Sequence, residues 1–139
     1  MGELIAFANT HPILASSVVA LLVAVLTLEV RLKGRSLVQV STNMAVQLIN
    51  KGATIIDVRP SENYAGGHIV NARNLPLAEI ESQPEAVKKK KDKVLLTVCD
   101  TGPVSRRAAD ALRKAGYESA YSLQGGLAAW RTDNLPLVK

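Results

Sequence analysis

The stretch VLLTVCDTGPVSRRAADAL, residues Val94–Leu112, decides the fold. It begins with an apolar, β-branched run typical of a central strand, passes Cys99, and continues through a short loop into a helix pattern. A strand that leads into a helix is the repeating unit of a parallel sheet. Because ligands of such sheets bind outside the carboxyl ends of the strands, Cys99 is expected at a functional edge.

The rest of the chain after residue 36 alternates strand and helix patterns in the same way. The predicted strands are Leu37–Val40, Thr54–Val58, Arg73–Leu75, Lys93–Val98 and Ser119–Leu123. The predicted helices are a segment through Asn50 capped by Ser41 or Thr42, one turn at Glu62–Gly66, and Leu77–Ser82, Pro84–Lys91, Ser105–Ala115 and Leu127–Arg131. This order predicts the α/β class, with a central, mainly parallel sheet and helices on both faces.

An uncharged run precedes this domain, from Leu4 to Leu28. A helix needs roughly 20 residues to cross the ~30 Å apolar core of a bilayer. A cleavable signal peptide would carry positive charge before its apolar run, where this chain has Glu3. A buried core helix of this length would be long for so small a domain. We therefore predict three segments: a transmembrane anchor over 1–30, a juxtamembrane linker over 31–36 with Gly34 as its flexible point, and one domain over 37–139.

The charge distribution predicts an orientation for that anchor. All 17 Lys and Arg lie at or after Arg31, and two of the 12 acids precede it, so the chain from Arg31 onward carries a net charge of +7. The positive-inside rule then places the C-terminal domain in the cytoplasm and the N-terminus outside. The single cysteine agrees, because it cannot form an internal disulfide. Aromatic and basic residues do not interleave as in base-stacking surfaces, so no nucleic acid is expected as a partner.

The pattern of strand, loop and helix around Cys99 favours a reactive side chain at this residue. A helix beginning near Ser105 presents free backbone N–H groups and a partial positive charge, which together stabilise an anion such as a thiolate. Gly102 allows the intervening loop to curl so that its amides point at the sulfur. The alternative from this pattern alone is a small buried apolar side chain at the end of a strand.

Four spaced blocks carry a family resemblance. They are IIDVRP (Ile55–Pro60), GHIVNARNLP (Gly67–Pro76), VCDTGPVSRRAADALRKAGY (Val98–Tyr117) and LQGGLAAW (Leu123–Trp130). Together they resemble a single-domain rhodanese, a sulfurtransferase. The apolar N-terminal run and the ending NLPLV resemble the membrane-anchored members of that family in the bacterial inner membrane.

The resemblance implies a mechanism and a site. Cys99 would take sulfur from a small donor such as thiosulfate, or from a protein persulfide, and pass it from a persulfide to a thiophilic acceptor, without a cofactor. The active-site loop that would cradle the anionic donor consists of Asp100, Thr101, Gly102, Pro103, Val104 and Ser105, of which Pro103 has no N–H to offer. Asp57, Arg59 and Arg106 are the possible supporting residues.

Two loop positions depart from the pattern of many rhodaneses, which carry a cation directly after the cysteine or at the last loop position. This chain has Asp100 and Val104 there. An acid beside a thiolate opposes its ionisation and repels an anionic donor, so weak thiosulfate activity or a different donor is expected unless Arg106 or Arg107 folds back. The second hypothesis is a weakly active or non-catalytic rhodanese-fold module that binds inner-membrane protein partners.

Two other classes of site are disfavoured by the sequence. Cysteine-dependent phosphatases of this fold need an arginine six places after the cysteine to clamp phosphate, and that place holds Ser105. One cysteine and two distant histidines, His11 and His68, make no metal ligand set, so no metal is expected. His68 and Trp130 are expected to have structural roles.

Overall fold

A computed structural model describes the backbone of residues 9–36 and 38–139, with side chains for 9–30 and 38–139. The chain divides into two compact units, Met1–Ser36 and Leu37–Lys139. Two predictions fall partly outside the described residues: the first eight residues of the anchor, and Leu37 at the start of the first strand.

The N-terminal unit contains one long helix, α1, which spans Pro12–Ser36. Its segment Pro12–Val30 has a mean hydropathy of 2.5 and is long and apolar enough to cross a membrane, by length and composition. The helix continues through 31–36, which was predicted to be a flexible linker. Gly34 therefore does not interrupt the helix, since a single glycine costs only about 1 kcal/mol inside one.

The second unit is built on a five-stranded sheet in the order β1-β5-β4-β2-β3. The strands are β1 (Gln39–Val40), β2 (Thr54–Asp57), β3 (Arg73–Asn74), β4 (Leu95–Val98) and β5 (Ala120–Leu123). Every pairing between these strands is parallel. All five carboxyl ends therefore meet at one edge, and all five amino ends meet at the other.

The helices connect these strands on both faces of the sheet. They are α2 (Thr42–Asn50), α3 (Ser61–Ala65), α4 (Leu77–Ser82), α5 (Pro103–Lys114) and α6 (Gly126–Thr132), with one 3-10 turn at Pro84–Val87. The predicted α/β class with a parallel sheet is confirmed.

Two helix predictions differ from the structure by two residues or more at one end. Helix α5 begins at Pro103, two residues before Ser105, because proline fits the first helical position, where no intrahelical N–H bond is needed. The segment Pro84–Lys91 was predicted to be helical, but it forms only the 3-10 turn and ends at Lys88, which adopts the left-handed conformation with φ 53°.

Side chains that alternate along the strands form two apolar clusters, as the pleat requires. On β2, Ile56 belongs to the first cluster and Ile55 to the second. The first cluster lies under α4 and α5 and contains Cys99. The second lies under α2 and α6 and contains Trp130, whose Nε1 donates to the Pro136 carbonyl oxygen at 3.1 Å.

The first cluster also contains a buried tyrosine, Tyr117, whose hydroxyl lies 3.1 Å from Glu85 Oε2. Burial raises the pKa of Tyr117, and the hydrogen bond with Glu85 and the charge of its carboxylate raise that pKa further. The folded chain therefore holds this proton more tightly than the unfolded chain. The resulting stabilisation is fully present below the unfolded pKa of about 10 and is lost as the pH rises through the higher folded value.

We therefore expect the free energy of unfolding of the wild type to fall more steeply above about pH 10 than that of Tyr117→Phe. Urea unfolding in detergent, followed by the fluorescence of the single tryptophan, Trp130, measures this difference at neutral and alkaline pH. Other groups that titrate in this range contribute to both proteins and cancel in the comparison. Parallel pH profiles for the two proteins would contradict the expectation.

Candidate active site

Cys99 follows directly after β4, at the edge where the carboxyl ends of the strands meet. Its side chain belongs to the buried core, with 3% of the residue exposed. The backbone N–H of Gly102 donates to Cys99 Sγ over 3.0 Å. This curl of the loop needs glycine, because Gly102 has φ +112° and an added Cβ would lie 3.2 Å from the Gly125 nitrogen.

Ser105 completes a small hydrogen-bonded ring around the sulfur. Its buried hydroxyl donates to the Gly102 carbonyl oxygen at 2.9 Å and lies 3.3 Å from Cys99 Sγ, from which it accepts when the sulfur is a thiol. In the first turn of a helix the backbone N–H groups have no intrahelical acceptor, and the helix dipole is positive there. The sulfur is therefore held where α5 stabilises negative charge.

The turn before α6 supports the cysteine loop from behind. The N–H of Leu127 donates to the Cys99 carbonyl oxygen at 2.8 Å, and that of Ala128 donates to the Asp100 carbonyl oxygen at 2.9 Å. An added Cβ at Gly126, where φ is +58°, would overlap the Cys99 carbonyl oxygen and lie 2.7 Å from that of Asp100. This role of Gly126 was not predicted, although the paired glycines in LQGGLAAW were a signal for it.

Arg59 connects three loops at the same edge. Its Nη2 donates to Asp57 Oδ2 at 2.7 Å and to the Gly67 carbonyl oxygen at 2.8 Å, and its Nη1 donates to Asp100 Oδ1 at 3.2 Å. Arg59 and Asp57 are both buried, with side-chain exposures of 4% and 1%. The hydrogen bonds to Asp57 raise the pKa of Arg59, while burial lowers it, and the net direction is upward.

The contact with Arg59 changes the expected effect of Asp100. Its carboxylate faces a guanidinium 41 positions earlier in the sequence, so part of its negative charge is compensated. Arg106 and Arg107, which could offset the charge of Asp100 by folding back, pair with other acids instead. Arg106 Nε is 3.9 Å from Asp110 Oδ2, and Arg107 Nη2 is 2.8 Å from Glu81 Oε1.

The exposed part of the loop is neutral or acidic. Thr101, Pro103 and Val104 face solvent, Val104 with 41% exposure, and Asp100 stands beside them. None of the six loop residues from Asp100 to Ser105, all of which the structure describes, is a cation. An anion at this loop would therefore meet backbone N–H groups and the helix dipole rather than a loop arginine or lysine.

His68 is held by contacts with Tyr64 and Val138. Within residues 9–36 and 38–139, no group of three or more His, Cys, Asp or Glu is placed to hold a metal ion. His68 Nδ1 lies 3.0 Å from the Tyr64 carbonyl oxygen, and its ring stacks on that of Tyr64 with centroids 3.8 Å apart. Its backbone pairs with Val138. This backbone pairing joins the C-terminal segment to the loop that follows α3.

The parallel sheet with a cysteine loop at its carboxyl edge is a rhodanese-like arrangement, and the sequence agrees. Residues 41–133 match the family described as Rhodanese-like domain. The chain belongs to the rhodanese family, which confirms the resemblance carried by the four sequence blocks.

The individual relatives differ in how much of this chain they match. YibN of Escherichia coli (strain K12) is 36% identical over 100% of this chain and 99% of its own length. The thiosulfate sulfurtransferase GlpE of Shewanella oneidensis is 36% identical over 68% of this chain and 92% of its own. Among solved structures, the human single-domain sulfurtransferase TSTD1 has a TM-score of 0.62 and 30% identity, over 68% of this chain and 96% of its own.

Proposed function

We propose that this protein is a sulfurtransferase that forms a persulfide on Cys99 and passes the sulfane sulfur to a thiophilic acceptor. The observation that carries the proposal is the environment of the sulfur: Cys99 Sγ accepts a hydrogen bond from the N–H of Gly102, the residue directly before α5. The relatives named thiosulfate sulfurtransferase, which match the chain over 67–68% of its length, support the reaction class.

In the proposed reaction Cys99 acts as a thiolate and attacks the outer sulfur of the donor. A bond forms between Sγ and that sulfur, the donor's own bond to it breaks, and the leaving group departs with the electron pair, as sulfite when the donor is thiosulfate. The Gly102 N–H and the start of α5 stabilise the negative charge before and after the transfer. A nucleophilic acceptor such as a thiolate or cyanide then attacks the outer sulfur and releases the Cys99 thiolate.

Intact-mass measurement of the full chain in detergent tests this reaction. Incubation with thiosulfate or with a low-molecular-weight persulfide is expected to add the mass of one sulfur atom, and cyanide is expected to remove it. Digestion should place the added sulfur on the peptide that contains Cys99. If neither donor adds sulfur to the fully reduced chain, the proposed function is wrong.

We propose the bacterial inner membrane as the location, with α1 as a single-pass anchor, the N-terminus outside and the domain 37–139 in the cytoplasm. The apolar stretch Pro12–Val30, all of whose side chains are unburied, supports the anchor. The excess of Lys and Arg after residue 30 supports the orientation. Resistance to carbonate extraction tests the anchor. Protease added outside spheroplasts tests the orientation, because a cytoplasmic domain stays intact.

Replacing Val104 with arginine is expected to improve thiosulfate as a donor. Val104 is exposed at the loop mouth, and a cation there would attract the dianion that Asp100 repels. We expect kcat/KM for thiosulfate to rise about ten-fold, mostly through KM, and the gain to shrink at high ionic strength. Steady-state kinetics at two salt concentrations measure it, with Val104→Met as the uncharged control. An equal gain in the methionine variant would show that charge is not the cause.

A second candidate function is a rhodanese-fold module that binds inner-membrane protein partners. The neutral or acidic loop mouth and the 3% exposure of Cys99 favour it. Crosslinking in membranes discriminates the two functions. If Cys99→Ser leaves the crosslinked partners and the phenotype unchanged while a replacement of α1 abolishes both, the binding function is favoured.

A further inference from the structure

The parallel sheet separates two chemically different edges. The carboxyl edge carries Cys99 and its supporting residues, which include the acids Asp57 and Asp100 and the cation Arg59. We call the opposite surface, formed by the segments 51–53, 88–94 and 115–119 that enter β2, β4 and β5, the amino edge. Its exposed lysines are Lys51, Lys88, Lys89, Lys90, Lys91 and Lys93.

Lys51, Lys91 and Lys93 join the three segments into one surface. Lys51 and Lys93 line the same shallow groove, together with Gly52 and Val94. The aliphatic stem of Lys91 lies against Gly116, with Cδ 3.3 Å from where a Cβ would stand, and its Nζ lies 6.0 Å from the Tyr117 ring centroid. The basic surface of the amino edge therefore extends from the start of β2 to the connection between α5 and β5.

Acidic residues at the amino edge do not balance this charge. Glu85 forms an ion pair with Lys91 at 3.5 Å, and Asp92 and Glu118 are exposed within or beside the same segments. Six lysines against three acids leave an excess of +3 on the amino edge. A surface with this excess attracts an anionic partner through long-range electrostatics.

The chain also enters the domain from the amino edge. Strand β1 begins at Gln39 and runs parallel to β5, so its first residue lies at the amino end of the sheet. The proposed anchor α1 ends at Ser36, three residues earlier in the sequence. The connection from the proposed anchor to the sheet is therefore short, and it reaches β1 at the amino end of that strand.

We propose that the amino edge docks on anionic phospholipid headgroups of the bilayer in which the chain is anchored. The proposal rests on the membrane anchor proposed above, and it deepens that proposal by assigning the surface that faces the lipid. A basic residue near an anionic membrane surface contributes roughly a five-fold change in the docking equilibrium. In the docked state the carboxyl edge with Cys99 faces away from the bilayer, so sulfur donors and acceptors reach it from the aqueous side.

Energy transfer to the lipid surface tests the docking with the full chain in nanodiscs. In a Cys99→Ser background, a dye is placed either at the amino edge through Asn50→Cys or at the carboxyl edge through Gln124→Cys, both of which are exposed positions. The acceptor is a lipid with a rhodamine headgroup. The discs contain phosphatidylcholine alone, or equal amounts of phosphatidylcholine and phosphatidylglycerol.

We expect the anionic discs to raise the transfer efficiency at position 50 and not at position 124. Lys89→Gln combined with Lys90→Gln is expected to shift the docking equilibrium on the order of thirty-fold toward the undocked state. The matched control combines Arg107→Gln with Arg131→Gln, which removes the same charge from exposed positions outside the amino edge, and is expected to leave transfer unchanged.

Three results would overturn the docking: equal transfer at position 50 in both discs, a rise at position 124 instead, or an equal loss in the control variant. A chain that does not enter nanodiscs of either composition would overturn the anchor and the docking together. The sulfur-loading reaction is tested separately and does not depend on these results.

Discussion

Replacement of Cys99 by serine is expected to abolish sulfur loading and to lower sulfurtransferase turnover by on the order of 10³-fold or more, as loss of a nucleophile does. The serine hydroxyl fits the space of the thiol but does not form a persulfide. The Gly102 N–H can still donate to the new hydroxyl oxygen, and the Ser105 hydroxyl can still accept from the new hydroxyl group, as they do with the thiol. Intact mass after donor treatment and steady-state kinetics with thiosulfate measure the two effects.

The control for this variant is its stability, because Cys99 also belongs to the first apolar cluster. We expect the free energy of unfolding to change by about 1 kcal/mol, as for a conservative buried substitution. Ser105→Ala is the matched partner, since it keeps the nucleophile and removes only the hydroxyl 3.3 Å away. Its loading should be slower but complete. Sulfur loading that persists in Cys99→Ser would place the reactive group elsewhere.

Replacement of Arg59 by leucine is expected to destabilise the domain by about 3–5 kcal/mol, the range for breaking a buried ion pair by removing one partner. The leucine would leave the Asp57 carboxylate buried, with 1% of its side chain exposed. That carboxylate would lose the hydrogen bonds that Arg59 Nε and Nη2 donate to it. The substitution would also release the Gly67 carbonyl and the Asp100 side chain from the guanidinium. Urea unfolding monitored by Trp130 fluorescence measures the loss.

Asp100→Asn is the matched control for Arg59→Leu, because it removes only the exposed half of the same network. Its carboxylate is 52% exposed, and exposed pairs contribute about 0–1 kcal/mol. We therefore expect little change in stability, together with improved thiosulfate use because one negative charge leaves the loop mouth. Similar losses of stability in the two variants would show that the buried pair with Asp57 is not the main contribution of Arg59.

The elements of the fold that could be predicted are those that a short stretch of neighbouring residues determines. The buried β-branched runs specify strands, and their alternation with helix patterns specifies a parallel sheet with Cys99 at its carboxyl edge. The helix was expected to begin near Ser105, but α5 begins at Pro103, because proline is favoured at the first helical position.

The parts of the site that were not predictable depend on distant contacts. The compensation of Asp100 comes from Arg59, 41 positions away, while the sequence suggested the neighbouring Arg106 and Arg107. Side chains on an exposed helix surface choose among several acids within reach, and those two arginines pair with Asp110 and Glu81. Spacing along the chain does not determine that choice.

Gly126 has a consequence for mutational scanning. An added Cβ would overlap the Cys99 carbonyl oxygen and lie within 2.7 Å of the Asp100 carbonyl oxygen, so a side chain at this position would displace the cysteine loop. In a saturation library, variants at position 126 should therefore be depleted both when cells are sorted for protein abundance and when they are selected for sulfur transfer. The conservative variant Cys99→Ser should be depleted only in the second selection. The two profiles would distinguish a residue that builds the loop from one that reacts.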